Sequence, residues 1–347
     1  MKIHTRTVST IKGLVTIYTL TNTKGASVEL SSLGAGILSV IVPDKNGNLV
    51  DVALGYKNIS DYLYDGPCMG KTPGRYANRI ASGRFSLDGQ YYQLPINNGP
   101  NSLHGGPEGF QNQVWESHIR SVNTIQFTYQ SKDGEMGYPG NLDAEVCYTW
   151  DDECKLAIEY AASADRKTII NLTNHTYFNL NGHGSGTVLD HLLEVPLKHY
   201  LPTDSTLIPT GEFAEVNGTP MDFTTAKPIG QNIKEDFPAL NYGKGYDNSW
   251  VETCFDSQIR HMASLKGSRT GITLNVLSNQ PAVQIYTGNW LEGCPMSKSE
   301  HSYSDYDGVA LECQGLPDSP NKLDFPSQTL APGDKYKRTI QFVFSAK

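Results

Sequence analysis

Two side chains of this sequence stand where an ionisable group is uncommon without a task. His175 lies within TIINLTNHTYFNLNG, residues 168–182, among β-branched and aromatic residues and flanked by Asn174 and Thr176. Glu312 lies within GVALECQ, residues 308–314, between apolar neighbours. A carboxylate among apolar residues has its pKa raised unless it is paired, and an imidazole held on rigid scaffold can be aimed at a ligand. Three further polar clusters accompany them: GRYANRI with Asn78 and Arg79, NSLHGG with His104, and GYDN with Asp247. A plain structural role is open to each. His175 could be a core histidine bonded to a carbonyl, Glu312 an ion-pair partner across a sheet, and Arg79 a solvated arginine beside a carboxylate.

The elements that must position these groups read as strands. Residues 169–178 carry the types that suit a pleated, half-buried surface and end at the Asn181-Gly182 turn, which predicts a strand bearing His175. From Leu14 to Tyr56, short apolar runs alternate with turns, and residues 84–94 predict a hairpin turning at Asp88-Gly89. Residues 97–109 hold too much Gly, Pro and Asn for regular structure and predict an elaborate loop. Further strands are expected at 124–129, 142–150, 155–161, 189–196, 308–314 and 336–344, with two more across a turn at 278–281. The one expected helix, at 225–236, is short and interrupted by Pro228. About twenty strands and almost no helix predict an all-β fold, a large antiparallel β-sandwich. No linker or low-complexity tract divides it, so residues 1–347 are expected to form a single domain.

Composition narrows the function. A net charge of −8 without a Lys/Arg cluster argues against nucleic acid as a partner. The N-terminus lacks the pattern of a signal peptide, and no run has the eighteen or so apolar residues of a membrane helix, so a soluble cytoplasmic protein is expected. The six cysteines (Cys68, Cys147, Cys154, Cys254, Cys294, Cys313) show no C-x-x-C pair or metal-ligand rhythm, which predicts reduced thiols and no zinc site. With no metal or cofactor motif, any chemistry falls to side chains.

At GRYANRI, NSLHGG, NHTYFNL, GYDN, VQIYTGN, ALECQ and LPDSPN, taken in order, the chain resembles the aldose 1-epimerases, or galactose mutarotases. The resemblance implies a β-supersandwich, a free monosaccharide substrate, and interconversion of its α and β anomers without metal or cofactor. On the matching motifs, Glu312 would be the general base and His175 the general acid, while Arg79, His104, Asp247, Asn78 and Gln284 would hold the sugar hydroxyls. Mutarotation removes the anomeric hydroxyl proton and protonates the ring oxygen, so an acid and a base are expected on opposite sides of the anomeric centre. Reference pKa values near 4.3 and 6.5 suit that exchange close to neutrality. Trp115, Tyr177 and Tyr286 lie near the motifs, but packing explains any one of them as well as sugar contact does. Asn248 stands where relatives often have histidine, and HSYSDYDG, residues 301–308, replaces a shorter connection. His183 and His301 match no motif and are expected at the surface. A monomer or homodimer is expected.

Three rivals remain open at this level. A non-catalytic carbohydrate-binding module would not require a carboxylate in an apolar strand beside a histidine. A glycosidase would use two carboxylates, such as Asp247 and Glu312, leaving two histidines idle. A sugar-phosphate epimerase would gather more basic residues than Arg79 alone.

Overall fold

The structure, a computed structural model, describes residues 1–347. Strands dominate it, and three antiparallel sheets carry most of them. The first five strands, Lys2–Thr10, Gly13–Thr21, Ser27–Ser31, Gly36–Pro43 and Leu49–Asp51, form one sheet in sequence order. A nine-stranded sheet runs from Glu116–Ser121 through Thr124–Ser131, Leu142–Trp150 and Lys155–Ala164 to Tyr336–Ala346, then continues through Ile272–Ser278 and Arg260–Lys266. Thus Tyr336–Ala346 lies between Lys155–Ala164 and Ile272–Ser278, in the middle of that sheet. A six-stranded sheet is ordered Tyr177–Phe178, Val309–Gln314, Ala282–Tyr286, Asp247–Val251, His199–Tyr200 and Ala214–Glu215.

Alternation decides which side chains meet. In Leu142–Trp150 every second residue is buried, and the inward set, with Ile158 and Phe342 from neighbouring strands, joins one apolar core with Val28, Val40, Trp250, Val283 and Leu311 of the other two sheets. Aromatic contacts bridge the layers. The Phe178 and Phe342 rings are 5.1 Å apart, and Tyr18 meets Phe127 at 6.2 Å. Val309–Gln314 is buried along its whole length. Its odd residues, Val309, Leu311 and Cys313, enter the core, which turns Ala310, Glu312 and Gln314 to the opposite face.

Four local expectations change. His175 is not on a regular strand: ladder pairing is limited to Thr168–Ile169 and Tyr177–Phe178, a single bridge joins Asn171 to Tyr76, and the chain around His175 is irregular. It runs beside residues 70–77, themselves irregular and containing Pro73, and the two backbones bond only at their ends: Asn171 N–H donates to the Arg75 carbonyl at 3.0 Å, Ala77 N–H to the Asn171 carbonyl at 2.8 Å, and His175 meets Gly70 and Lys71. Side chains add to this pairing: Asn171 Nδ2 donates to the Ala77 and Gly315 carbonyls and its Oδ1 accepts from Gly315 N–H. Residues 225–236 hold the short strand Lys227–Pro228 and a 3-10 turn, and the one α-helix is Pro238–Gly243, started by its proline and ended by Lys244 in the left-handed region. The turn at 279–281 is a corner between sheets, since Ile272–Ser278 belongs to the nine-stranded sheet and Ala282–Tyr286 to the six-stranded one. His183 and His301 are half-buried, their rings 6.1 Å apart, because Gly184 packs against the His301 ring, where a Cβ would lie 2.4 Å from Cε1. The Asp88-Gly89 hairpin forms as expected, both residues at positive φ. No helix is long and apolar enough to cross a membrane.

Candidate active site

Sheet register assembles the site. Tyr177 pairs with Ala310, Tyr286 with Ala310, and Asp247 with Tyr286, which makes one row across the face turned from the core. The adjacent row contains Glu312, opposite Gln284, opposite Ser249. Continuing the Tyr177–Ala310 register by two residues puts His175 opposite Glu312. The irregular stretch holds that position: His175 N–H donates to the Lys71 carbonyl at 2.9 Å, its own carbonyl accepts from Gly70 N–H at 2.9 Å, and the Thr173 hydroxyl donates to the Cys313 carbonyl at 2.7 Å.

The other wall comes from the loops around residues 78 and 104. His104 N–H donates to the Asn78 carbonyl at 3.0 Å, and Asn78 N–H donates to His104 Nδ1 at 3.1 Å. Accepting through Nδ1 leaves the neutral imidazole with its proton on Nε2. Both residues have left-handed backbones, φ 64° and 52°. Next to them, a Cβ on Gly105 would lie 1.8 Å from the Gly74 carbonyl oxygen, so only glycine lets the loops approach. Asp318 of the LPDSPN motif fixes Arg79 by donating N–H to its carbonyl at 2.8 Å and accepting Ala81 N–H at 2.9 Å.

Between the walls lies a cleft of about 570 Å³. Asn78, Arg79, His104, His175, Asp247 and Glu312 line it. Gln284 does not reach the wall. It stands behind Asp247, donating to Oδ1 at 2.6 Å while accepting the Ser249 hydroxyl at 2.5 Å. Arg79 faces the other Asp247 oxygen at 3.5 Å and donates to Asn98 at 3.1 Å. Two other depressions, about 600 and 740 Å³, contain no histidine, so chemistry rather than size singles out this cleft.

His175 Nε2 lies 3.5 Å from Glu312 Oε1, and both side chains are at least 95% buried. They are neighbours rather than groups on two sides of a ring. A hemiacetal carries both its oxygens on one carbon, so adjacent groups can address the pair. His175 Nδ1 and Glu312 Oε2 have no protein partner. Burial pushes the Glu312 carboxyl well above its usual range, with Asp247 adding to the shift and Arg79 opposing it. Burial also lowers His175 to about 4, with a further push from Lys71. His104 falls well below its ordinary value through burial and the neighbouring His175 and Arg79.

Among the aromatics, Tyr177 and Tyr286 line the cleft, their rings 5.0 and 6.3 Å from that of His175. Trp115 is instead buried between Phe110 and Tyr129. Asn248 is buried and donates to the Leu201 carbonyl. The cleft also includes Asn98, Tyr242, Trp290 and the 205–207 turn, none singled out by the sequence reading. The aromatic loop NYGKGYDN and the tryptophan closing YTGNW are the available signals for two of them.

The sequence profile of the family described as Aldose 1-epimerase matches residues 16–343. The galactose mutarotase of Homo sapiens is 42% identical over 323 residues, covering 92% of this chain and 91% of that protein. The aldose 1-epimerase of Escherichia coli K12 is 36% identical over 333 residues, 95% of each. Among solved structures, the GalM/aldose epimerase homologue of C. elegans superposes with a TM-score of 0.87 at 30% identity, covering 99% of both chains.

Proposed function

The chain belongs to the aldose 1-epimerase family and is an isomerase that interconverts the α and β anomers of an aldose; we propose that Glu312 and His175 carry the proton transfers and that galactose and glucose are substrates. The observation that carries this reading is the contact of the two side chains, 3.5 Å apart on the floor of a cleft walled by Arg79, Asp247 and His104. The Glu312 carboxylate takes the proton from the anomeric hydroxyl O1 as the imidazolium of His175 gives its proton to the ring oxygen O5. The C1–O5 bond breaks and a free aldehyde forms. Rotation about C1–C2 presents the other carbonyl face to O5. Closure returns one proton to His175 and the other, from Glu312, to O1.

Desolvation favours this direction of transfer. It strengthens the carboxylate as a base and the imidazolium as an acid, because each proton movement removes a charge that burial penalises. The reacting pair holds one proton between its two groups, and ring opening moves the pair to its uncharged form. Arg79, Asp247, His104 and Asn78 would hold the hydroxyls, and Gln284 would act through Asp247. This positioning converts proton exchange with solvent into exchange within one complex.

The six unpaired cysteines support a reducing, cytoplasmic setting, and the core shared by all three sheets supports a single domain. Polarimetry on freshly dissolved α-D-galactose, α-D-glucose, xylose and arabinose tests the reading. Catalysed mutarotation is expected with the hexoses. An unaccelerated approach to equilibrium with every sugar would leave a binding module instead.

A further inference from the structure

Three of the four tryptophans, Trp115, Trp150 and Trp250, are buried to 2% exposure or less, whereas Trp290 is 62% exposed and lines the cleft. An indole left that open at a functional cleft needs a reason, and its setting gives one. The backbone N–H of Trp290 donates to the Tyr286 hydroxyl at 3.2 Å, so the residue sits just beyond the aromatic floor. The Lys244 ammonium lies 4.4 Å from the indole centroid and is itself paired with Asp305. The second Asp305 oxygen accepts Glu292 N–H at 3.0 Å, and the Tyr306 hydroxyl donates to the Lys244 carbonyl at 2.6 Å. Lysine, carboxylate and loop thus fix a large flat side chain that has no core to pack into. Asp305 and Tyr306 belong to the connection that departs from the family pattern.

We propose that Trp290 is a specificity-determining platform of the cleft, packing its open indole face on the C–H surface of the pyranose remote from C1, and that Asp305 positions it through Lys244. This deepens the anomerase reading and rests on it only for where C1 lies. With C1 and O5 at the buried His175–Glu312 pair, the opposite edge of the ring, C3 and C4, faces the mouth, where Trp290 stands. C–H surfaces pack on aromatic faces and hydroxyls cannot, so the platform selects for the apolar patch that each sugar presents there.

The test combines kinetics with intrinsic fluorescence, since Trp290 is the tryptophan open to the cleft. Trp290→Ala should raise KM for galactose about 3- to 10-fold with little change in kcat, the range expected for one aromatic contact. Trp290→Phe should recover part of that loss. Asp305→Asn should raise KM by a smaller factor. Glucose, whose C4 hydrogen lies on the ring face opposite those of C3 and C5, should lose less than galactose in Trp290→Ala. Galactose should change the wild-type emission saturably, and Trp290→Phe should abolish that change. An unaltered KM in Trp290→Ala, or an undiminished fluorescence response in Trp290→Phe, overturns the proposal. A saturable, Trp290-dependent response in a protein that does not accelerate mutarotation would sustain the platform while refuting the catalytic reading.

Discussion

Replacing Glu312 by Gln separates catalysis from folding, because the two should move in opposite directions. The amide keeps the shape of the carboxyl and still offers an oxygen toward His175 Nε2, now 3.5 Å from Oε1. It cannot take a proton from O1. Loss of a positioned base removes about 10²- to 10⁴-fold of rate, equivalent to roughly 3–5 kcal/mol of barrier. Stability has the other sign. The folded-state pKa of Glu312 is raised, so its favourable contribution is complete below the unfolded value of 4.5 and is lost as pH rises through the folded value. Above that range the wild type carries a penalty of about 1.4 kcal/mol for every pH unit that separates the folded value from the unfolded one, and glutamine carries none. Polarimetry should therefore show kcat for Glu312→Gln lowered by two to four decades, at about the wild-type KM. Thermal unfolding at pH 7 should show an equal or higher midpoint, with the difference narrowing toward pH 4.5. Full retention of rate would refute the general-base role. A loss of activity matched by a lower midpoint would show that the residue serves the fold.

Three further outcomes follow from the same geometry. Because burial lowers His175 to about 4, kcat/KM should stay level through neutrality and fall only as a second proton enters the pair near that pH; an acid limb at 6.5 or above would contradict the depressed imidazole. Gln284→Leu deprives Asp247 of its 2.6 Å donor and should raise KM about tenfold, while kcat changes little; an unchanged KM would separate Asp247 from sugar binding. Lys71 and Asp65 form an ion pair whose side chains are 1% and 0% exposed, so Lys71→Met should lower the urea-derived stability by about 3–5 kcal/mol, with Lys71→Met/Asp65→Leu recovering much of it.

Sequence reading works where the physics is local or carried by a repeated motif. Asp88-Gly89 specifies its hairpin through two left-handed residues, and alternation in Leu142–Trp150 reveals a half-buried strand without knowledge of its partners. The meeting of His175 with Glu312 is of another kind. It depends on the Tyr177–Ala310 register, which links residues more than a hundred positions apart and leaves no trace in either segment. Only the resemblance of motifs connects them at the level of sequence. The breakdown of the strand around His175 is hidden for a similar reason, since it lies beside an irregular segment, residues 70–77, far off in sequence. A turn at 278–281 can be read, but not that it crosses from one sheet to another. Trp290 escapes because an aromatic residue looks the same in sequence whether a core covers it or solvent does.

The central place of Tyr336–Ala346 in the nine-stranded sheet has a consequence for biosynthesis. Until translation has passed Ala346, Lys155–Ala164 and Ile272–Ser278 each present an unpaired edge to solvent or to one another, and the wide sheet cannot close. Glu312 also emerges long after His175. A ribosome-bound chain would therefore spend much of its synthesis with open strand edges, a state prone to misassembly and suited to chaperone capture, before Tyr336–Ala346 joins the two halves.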